Sequence, residues 1–130
     1  MKYVFPAVFT QEESGYSIRF PDLEHCYTSA ETLEEGLEQA NDVLCLMLYD
    51  MEQNGQAIPR PSAIRDIPCA EHEFSTLISC DTLVYRRFYD AKAVKKTLSI
   101  PSWLNEMAEK QNINFSAALQ AALKDALHIT

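Results

Sequence analysis

The sequence lacks the closely spaced cysteine and histidine pairs from which zinc sites are built. Its four cysteines are far apart, at Cys26, Cys45, Cys69 and Cys80. Zinc ligands usually come in tight pairs such as Cys-x-x-Cys, and His25 beside Cys26 is the only adjacent pair here. We therefore expect no metal and four reduced thiols, most of them buried.

The sequence also lacks any apolar run near the roughly 20 residues needed to cross a bilayer. Its first ten residues have neither the long apolar stretch nor the small-residue cleavage site of a signal peptide. With 47% hydrophobic and 23% charged residues, the composition is typical of a globular protein. We expect a cytoplasmic protein with no membrane contact and no cofactor.

Positive charge is scarce and unevenly placed. The net charge of −8 argues against a protein that simply coats nucleic acid. Residues 1–91 hold 6 Lys and Arg against 16 Asp and Glu, whereas residues 92–130 hold 5 against 3. An acidic body joined to a mildly basic tail predicts two domains, 1–91 and 92–130.

The first domain begins with a pattern typical of antiparallel strands. "KYVFPAVFT" is rich in aromatic and β-branched residues, and "YSIRFPDL" alternates after the polar turn at Gly15, so the two predict a β-hairpin. "EHCYTSA" predicts a short third strand. Pro6 has no N–H for a sheet ladder, which predicts a sheet edge or a bulge at that position.

A long helix is the clearest element. Apolar residues recur at steps of three and four, at Leu33, Leu37, Ala40, Leu44, Met47, Leu48 and Met51. Thr32 and Glu35 fit a capping box at its start, and Gly55 fits a left-handed cap at its end. Gly36 inside the first turns is unfavourable by about 1 kcal/mol relative to alanine.

A further strand, "EFSTLIS", and a short helix within "CDTLVYRRFYDAK" complete this domain. The predicted fold class is therefore α+β, with three or four antiparallel strands packed on one long helix.

The tail contains a short alternating segment, "VKKTLSIP". Lys95, Thr97 and Ser99 share one face of it, and apolar residues dominate the other. A lone strand cannot satisfy its backbone groups, so the simplest partner is the same segment of a second chain. Pro101 ends the segment and suits the first turn of a helix, and Asn114 is a good N-cap for a second helix.

Strand, helix, turn and helix in under 40 residues is the layout of a ribbon-helix-helix DNA-binding domain. In that architecture the paired strands lie in the major groove, so Lys95, Thr97 and Ser99 would reach base edges. Asn114 and Ser116 would bind phosphate at the start of the second helix. The core between the two copies would comprise Leu98, Ile100, Trp103, Leu119 and Leu123. A plain dimerisation ribbon with a solvated polar face remains the alternative.

Several motifs in order resemble the HicB antitoxin family. The stretches are "YVFPAVF", "GYSIRFPDLEHC", "TLEEGLEQANDVLCLML" and "NGQAIPRPS", and "LSIPSWLNEMAEKQNINFSAALQAALKDAL" looks like the DNA-binding tail of part of that family. Two positions depart from the family pattern: Glu24-His25-Cys26 replaces Pro-Gly-Cys, and Gly36 replaces alanine.

The resemblance implies a truncated ribonuclease H-like first domain that binds and blocks a small basic HicA-like endoribonuclease toxin. It also implies a tail that binds operator DNA and represses the operon of a type II toxin–antitoxin pair, as a homodimer or a tetramer. Asp22 and Glu24, at a hairpin end, are candidate toxin contacts or an ordinary solvated turn. The alternative function is an orphan dimeric transcriptional regulator with another partner.

A nuclease is the function that this fold would otherwise suggest. Two-metal phosphoryl transfer needs several carboxylates in one pocket, but the first strand, residues 2–10, contains no Asp or Glu. No serine has a plausible base close by in sequence. We therefore expect no catalytic residues and no enzymatic activity.

Overall fold

The computed structural model describes residues 1–129, and these fall into two units, residues 1–92 and the residues from Ala93 onward. The first unit contains four strands, two α-helices and a short 3₁₀ helix at Ile64–Asp66. The strands are β1 (Lys2–Glu12), β2 (Gly15–Arg19), β3 (Tyr27–Ala30) and β4 (Glu73–Asp81), and the helices are α1 (Leu33–Gln53) and α2 (Thr82–Tyr89).

The four strands form one antiparallel sheet in the order β3-β2-β1-β4. The prediction of an antiparallel sheet with one long helix is confirmed, as is the short helix after β4. The first hairpin joins the two central strands, β1 and β2. Helix α1 and the loop after it carry the chain from the edge strand β3 to the opposite edge strand β4.

The core lies between one face of the sheet and α1. Phe5, Ala7 and Phe9 alternate along β1 and are fully buried, and Leu44 and Leu48 of α1 are equally buried. Burial of side chains of the size of Phe or Leu stabilises a fold by about 1.5–3 kcal/mol each. Every second residue of this part of β1 and every fourth residue of this part of α1 thus pack together in a single apolar layer.

Both ends of α1 follow the sequence prediction. The Thr32 hydroxyl accepts a hydrogen bond from the Glu35 amide at 3.1 Å, which satisfies one of the free N–H groups of the first turn. At the other end, Gly55 has φ +66°, the left-handed conformation that stops a helix at low cost.

The glycine at position 36 is explained by the limited space between α1 and the sheet. It is buried, and a Cβ atom placed on it would lie 3.1 Å from Cε2 of Phe9 and 3.4 Å from Cδ1 of Ile18. Such contacts are tighter than ordinary packing distances between carbons. The glycine that weakens the helix in isolation therefore allows α1 to approach the sheet at the centre of the hairpin.

The prediction for Pro6 was wrong in part. β1 is an interior strand, and its register with β4 runs without a bulge from Lys2 to Thr10. The register with β2 covers only Val8–Glu12. Pro6 therefore lies where β1 has a neighbouring strand on one side alone, and a residue without an N–H is tolerated there.

The second unit contains α3 (Ser102–Lys110) and α4 (Phe115–Ala126). Asn112, in the turn between them, has φ +54°, and Asn114 is the N-cap of α4. Residues 90–101 form neither helix nor strand in the single chain and do not join the four-stranded sheet. A strand at Val94–Ile100 would need a partner that one copy does not supply.

The backbone conformation at His25 bears on the first departure from the family pattern, Glu24-His25-Cys26 in place of Pro-Gly-Cys. His25 has φ +62°, the left-handed region that glycine enters without steric penalty. Histidine is among the non-glycine residues found there more often than average. The backbone thus keeps the conformation that suits the glycine of the pattern, although the side chain differs.

We expect His25→Gly to raise the free energy of unfolding by about 1 kcal/mol, because the left-handed conformation costs an L-residue about 1–2 kcal/mol. Denaturant titration of the purified variant measures this. His72→Gly is the matched control, since His72 has no left-handed φ and should lose stability through the added backbone freedom. Equal losses for both variants would contradict the interpretation.

Candidate interaction surfaces

The second unit leaves most of its apolar side chains in solvent. No residue of α3 or α4 is buried, and Trp103 is 63% exposed. The predicted core residues Leu98, Ile100 and Leu123 are exposed too, and Leu119 is half-buried. Apolar exposure on this scale marks an interaction surface. The structure thus places the predicted dimer core at a surface that one copy does not cover.

The residues predicted to contact bases lie in the segment before α3. Lys95, Thr97 and Ser99 are all exposed. Because the segment forms no strand in the single chain, its alternation between two faces stays a prediction.

Asn114 has a defined local role. Its side-chain Oδ1 accepts a hydrogen bond from the Ala117 amide at 3.0 Å, so this oxygen caps α4. Ser116, the second residue of α4, is exposed. The first amides of a helix have no partner within the helix, so a phosphate at this end would be bound by backbone N–H groups and the Ser116 hydroxyl.

Asp22, a predicted toxin contact, binds a residue of its own chain. Its carboxylate accepts hydrogen bonds from the Ser62 amide at 2.9 Å and from the Ser62 hydroxyl at 2.5 Å. These bonds tie the loop that follows α1 to the end of the first hairpin. Glu24, by contrast, is exposed at the mouth of a groove of about 470 Å³ between this hairpin end and the C-terminal part of α1.

Glu52 fixes α2 against the end of α1. Its carboxylate accepts hydrogen bonds from the Tyr3 hydroxyl at 2.8 Å and the Thr82 hydroxyl at 3.0 Å, and it lies 3.7 Å from the Arg86 guanidinium. Burial, followed by the bond to Glu52, raises the pKa of Tyr3 to about 12. Glu52 therefore connects the end of α1 to β1 through Tyr3 and to α2 through Thr82 and Arg86.

An aromatic cluster covers the side of α2 that faces α1. Tyr49 and Tyr85 have ring centroids 5.2 Å apart, Tyr85 and Tyr89 are 4.4 Å apart, and Phe88 and Tyr89 are 4.8 Å apart. Arg86 stacks on the other side of the cluster, with Cζ 5.5 Å from the Tyr49 centroid. Burial is the main cause that raises the pKa of Tyr85.

Beside this cluster lies an open groove of about 420 Å³ between α1, β4 and α2, which we call the α1–α2 groove. Its lining includes Asp42, Cys45, Asp81, Tyr85, Phe88 and Tyr89. Sequence reasoning predicted the short helix α2 but not this groove. The signal was the density of aromatic residues in "YRRFYD", which is more than one short helix can bury.

The prediction of mostly buried thiols is confirmed. Cys26, Cys45 and Cys80 are buried, and Cys69 is exposed. Burial raises the pKa of Cys26 to about 11. A hydrogen bond between Cys45 and Cys80 raises the pKa of Cys80 and lowers that of Cys45.

Within residues 1–129, no three His, Cys, Asp or Glu side chains are grouped so that they could hold a metal ion. No helix in the same residues is long and apolar enough to cross a membrane.

Comparison with known families and proteins gives a consistent result. The model of a family described as a HicB-like antitoxin of bacterial toxin-antitoxin systems matches residues 5–122. The protein named Antitoxin HicB 2 from Photorhabdus laumondii subsp. laumondii is 33% identical over 58 residues, which cover 45% of this chain and 42% of that protein. The chain spans about half the length of the curated relatives it matches.

Solved structures show a similar fold. A chain of the toxin-antitoxin complex from Streptococcus pneumoniae superimposes with a TM-score of 0.63 at 24% identity, over 97% of this chain and 99% of that chain. A chain of the HicA3 and HicB3 toxin-antitoxin complex gives a TM-score of 0.51 at 18% identity, over 61% of this chain and 99% of that chain.

We expect Asp22→Ala to lower the free energy of unfolding by about 1–2 kcal/mol, because two hydrogen bonds to a carboxylate are lost and the Ser62 amide loses its partner. Thermal or denaturant unfolding measures the loss. Glu24→Ala is the matched control: it removes an exposed carboxylate and should change stability by less than about 0.5 kcal/mol. Equal free energies of unfolding for the two variants would show that the hydrogen bonds between Asp22 and Ser62 do not stabilise the fold.

Proposed function

The chain belongs to the HicB-like antitoxin family of bacterial toxin-antitoxin systems, and from this we propose that it neutralises a HicA-like endoribonuclease toxin by binding it in the cytoplasm. We further propose that it represses its own operon as a dimer bound to operator DNA. The observation that carries the proposal is the extent of the family match, which includes residues of both units.

Charge supports the toxin-binding part. The first unit carries most of the chain's acidic residues, among them the exposed side chains of Glu34, Glu35, Glu38 and Asp42 along α1 and of Glu31 just before it. Complementary potentials speed the association of an acidic protein with a basic one and favour one orientation. Two of the similar structures are by title toxin-antitoxin complexes, one of them of HicA3 and HicB3.

The first unit is proposed to have a truncated ribonuclease H-like fold that binds without cleaving. The stretch of β1 from Lys2 to Thr10 carries no Asp or Glu, although carboxylates converging on one pocket are what two-metal nuclease chemistry requires. Blocking the toxin's active surface needs only a well-fitted and charge-complementary contact.

The second unit is proposed to be a ribbon-helix-helix domain. Two short helices follow a proline-terminated segment, and their apolar residues are unburied in one copy. In the dimer, Leu98, Ile100, Trp103, Leu119 and Leu123 form the shared core. Lys95, Thr97 and Ser99 then face the major groove, while Ser116 and the amides after Asn114 bind phosphate.

The first test uses the product of the neighbouring toxin gene. We expect the purified chain to form a stable complex with that toxin and to suppress its RNA cleavage at an equimolar ratio, because occlusion is stoichiometric. Isothermal titration and a cleavage assay with one RNA measure the two effects. A chain that binds operator DNA but ignores the toxin would instead be an orphan regulator.

The second test concerns operator binding. We expect Thr97→Ala to weaken it by about 5- to 100-fold, which corresponds to the loss of roughly 1–3 kcal/mol for a side-chain contact with a base. Toxin binding should stay as in the wild type. An electrophoretic mobility shift assay with operator and with shuffled DNA measures both affinity and specificity.

Two variants control this test. Thr28→Ala makes the same change in β3 of the first unit and should leave operator binding intact. Leu98→Asp places a charge in the proposed shared core, so it should give a monomer that no longer binds operator, detectable by analytical ultracentrifugation. Normal operator affinity of Thr97→Ala together with a normal dimer would show that the polar face of the ribbon does not contact bases.

A further inference from the structure

We propose that the α1–α2 groove receives a cationic side chain, an arginine or a lysine, from the basic toxin partner. This inference rests on the proposed function and names the part of the first unit that makes the contact. The groove joins an exposed aromatic wall to the carboxylates of Asp42 and Asp81, and this combination suits a cation with an apolar stem.

The aromatic wall of the groove is largely uncovered. Phe88 is 77% exposed, Tyr89 is 65% exposed, and Val84 on the same helix is 61% exposed. Single exposed apolar residues are ordinary, but a contiguous patch rimmed by polar groups marks a protein contact. Aromatic rings are also enriched among the residues that dominate interface energies.

The chain already places one guanidinium on this cluster. Arg86 lies with Cζ 5.5 Å from the centroid of the Tyr49 ring and pairs with Glu52 at 3.7 Å. A cation within about 6 Å of a ring face is attracted by the ring's quadrupole. Phe88 and Tyr89 of the same cluster are largely exposed, and an exposed ring can attract a cation from outside in the same way.

A carboxylate stands at the groove without a partner of its own. Asp42 is exposed on α1 and makes no hydrogen bond or ion pair within residues 1–129. Asp81, on the other side, accepts a hydrogen bond from the Leu83 amide at the start of α2 and lies 3.7 Å from the N-terminal ammonium, so its position is fixed and its charge is partly neutralised. An incoming guanidinium could pair with Asp42 and stack on the rings together.

The charge on the α1 side of the groove favours a basic partner over a second copy of the chain, while Arg86 on the α2 side is already paired with Glu52. A symmetric contact between two copies would bring the same surface to itself, and each copy presents Glu38 and Asp42 on the α1 side. Like charges placed opposite one another at an interface cost several kcal/mol. A basic protein surface is attracted by the same residues.

The test measures toxin affinity with groove variants of the full chain. We expect Phe88→Ala and Asp42→Asn each to raise the Kd of the complex with the neighbouring gene's toxin about tenfold. Titration at constant salt measures the Kd. Asp42→Asn should also reduce the salt dependence of the association rate, because it removes a charge that steers the cation. The double variant should lose less than the product of the two single losses, since both groups hold one side chain.

Matched controls make the same chemical changes elsewhere. Leu77→Ala truncates an exposed apolar residue of β4, and Glu13→Gln neutralises an exposed carboxylate in the turn between β1 and β2, outside the groove. Both should bind the toxin as the wild type does. Thermal unfolding identifies any loss of fold in Phe88→Ala, and Asp42→Asn, a change at an exposed position, keeps the test valid in that case.

The outcomes separate the inference from the function on which it rests. A wild-type complex that both groove variants leave unchanged would overturn the inference and leave the antitoxin role intact. Absence of any wild-type complex would remove both. A shift of the sedimentation coefficient in the groove variants, with unchanged toxin affinity, would assign the groove to a second copy or to the chain's own basic tail.

Discussion

The close packing of α1 on the sheet is the contact on which the rest of the first unit depends. Gly36 lets the helix approach Phe9 and Ile18, and the buried layer of Phe5, Leu44 and others holds it there. The end of α1 then presents Glu52 to Tyr3, Thr82 and Arg86. Because this acceptor sets the place of α2, the aromatic groove follows from the packing of α1.

The two units differ in how far they bury their apolar side chains. The first surrounds its apolar residues with a sheet and a helix of its own. The second has two short helices, which cannot bury both of their apolar faces against each other alone. In the proposed dimer, a second copy covers these residues, and the stability of the second unit would then depend on the concentration of the chain.

Periodicity predicted the elements of this fold because local spacing decides which face each residue takes. The strands of the hairpin, α1 with its Thr32 cap and the left-handed Gly55 were accessible in this way. Tertiary neighbours decide the rest. Pro6 lies in an interior strand whose partner on one side ends early, and the α1–α2 groove joins residues about 40 positions apart. A local sequence pattern does not predict contacts between residues so far apart in the chain.

The division of charge also bears on how the proposed repressor selects its site. Non-specific DNA binding draws mainly on phosphate contacts and is strongly electrostatic. An acidic body attached to a tail with a small positive excess weakens that general attraction, so the chain gains little from DNA of arbitrary sequence. In the proposed complex, operator affinity then rests on a few contacts made by Lys95, Thr97 and Ser99 in register with the bases. Under this proposal, adding positive charge to the first unit should raise binding to all DNA and lower discrimination, whereas the proposed ribbon would determine which sequence is preferred.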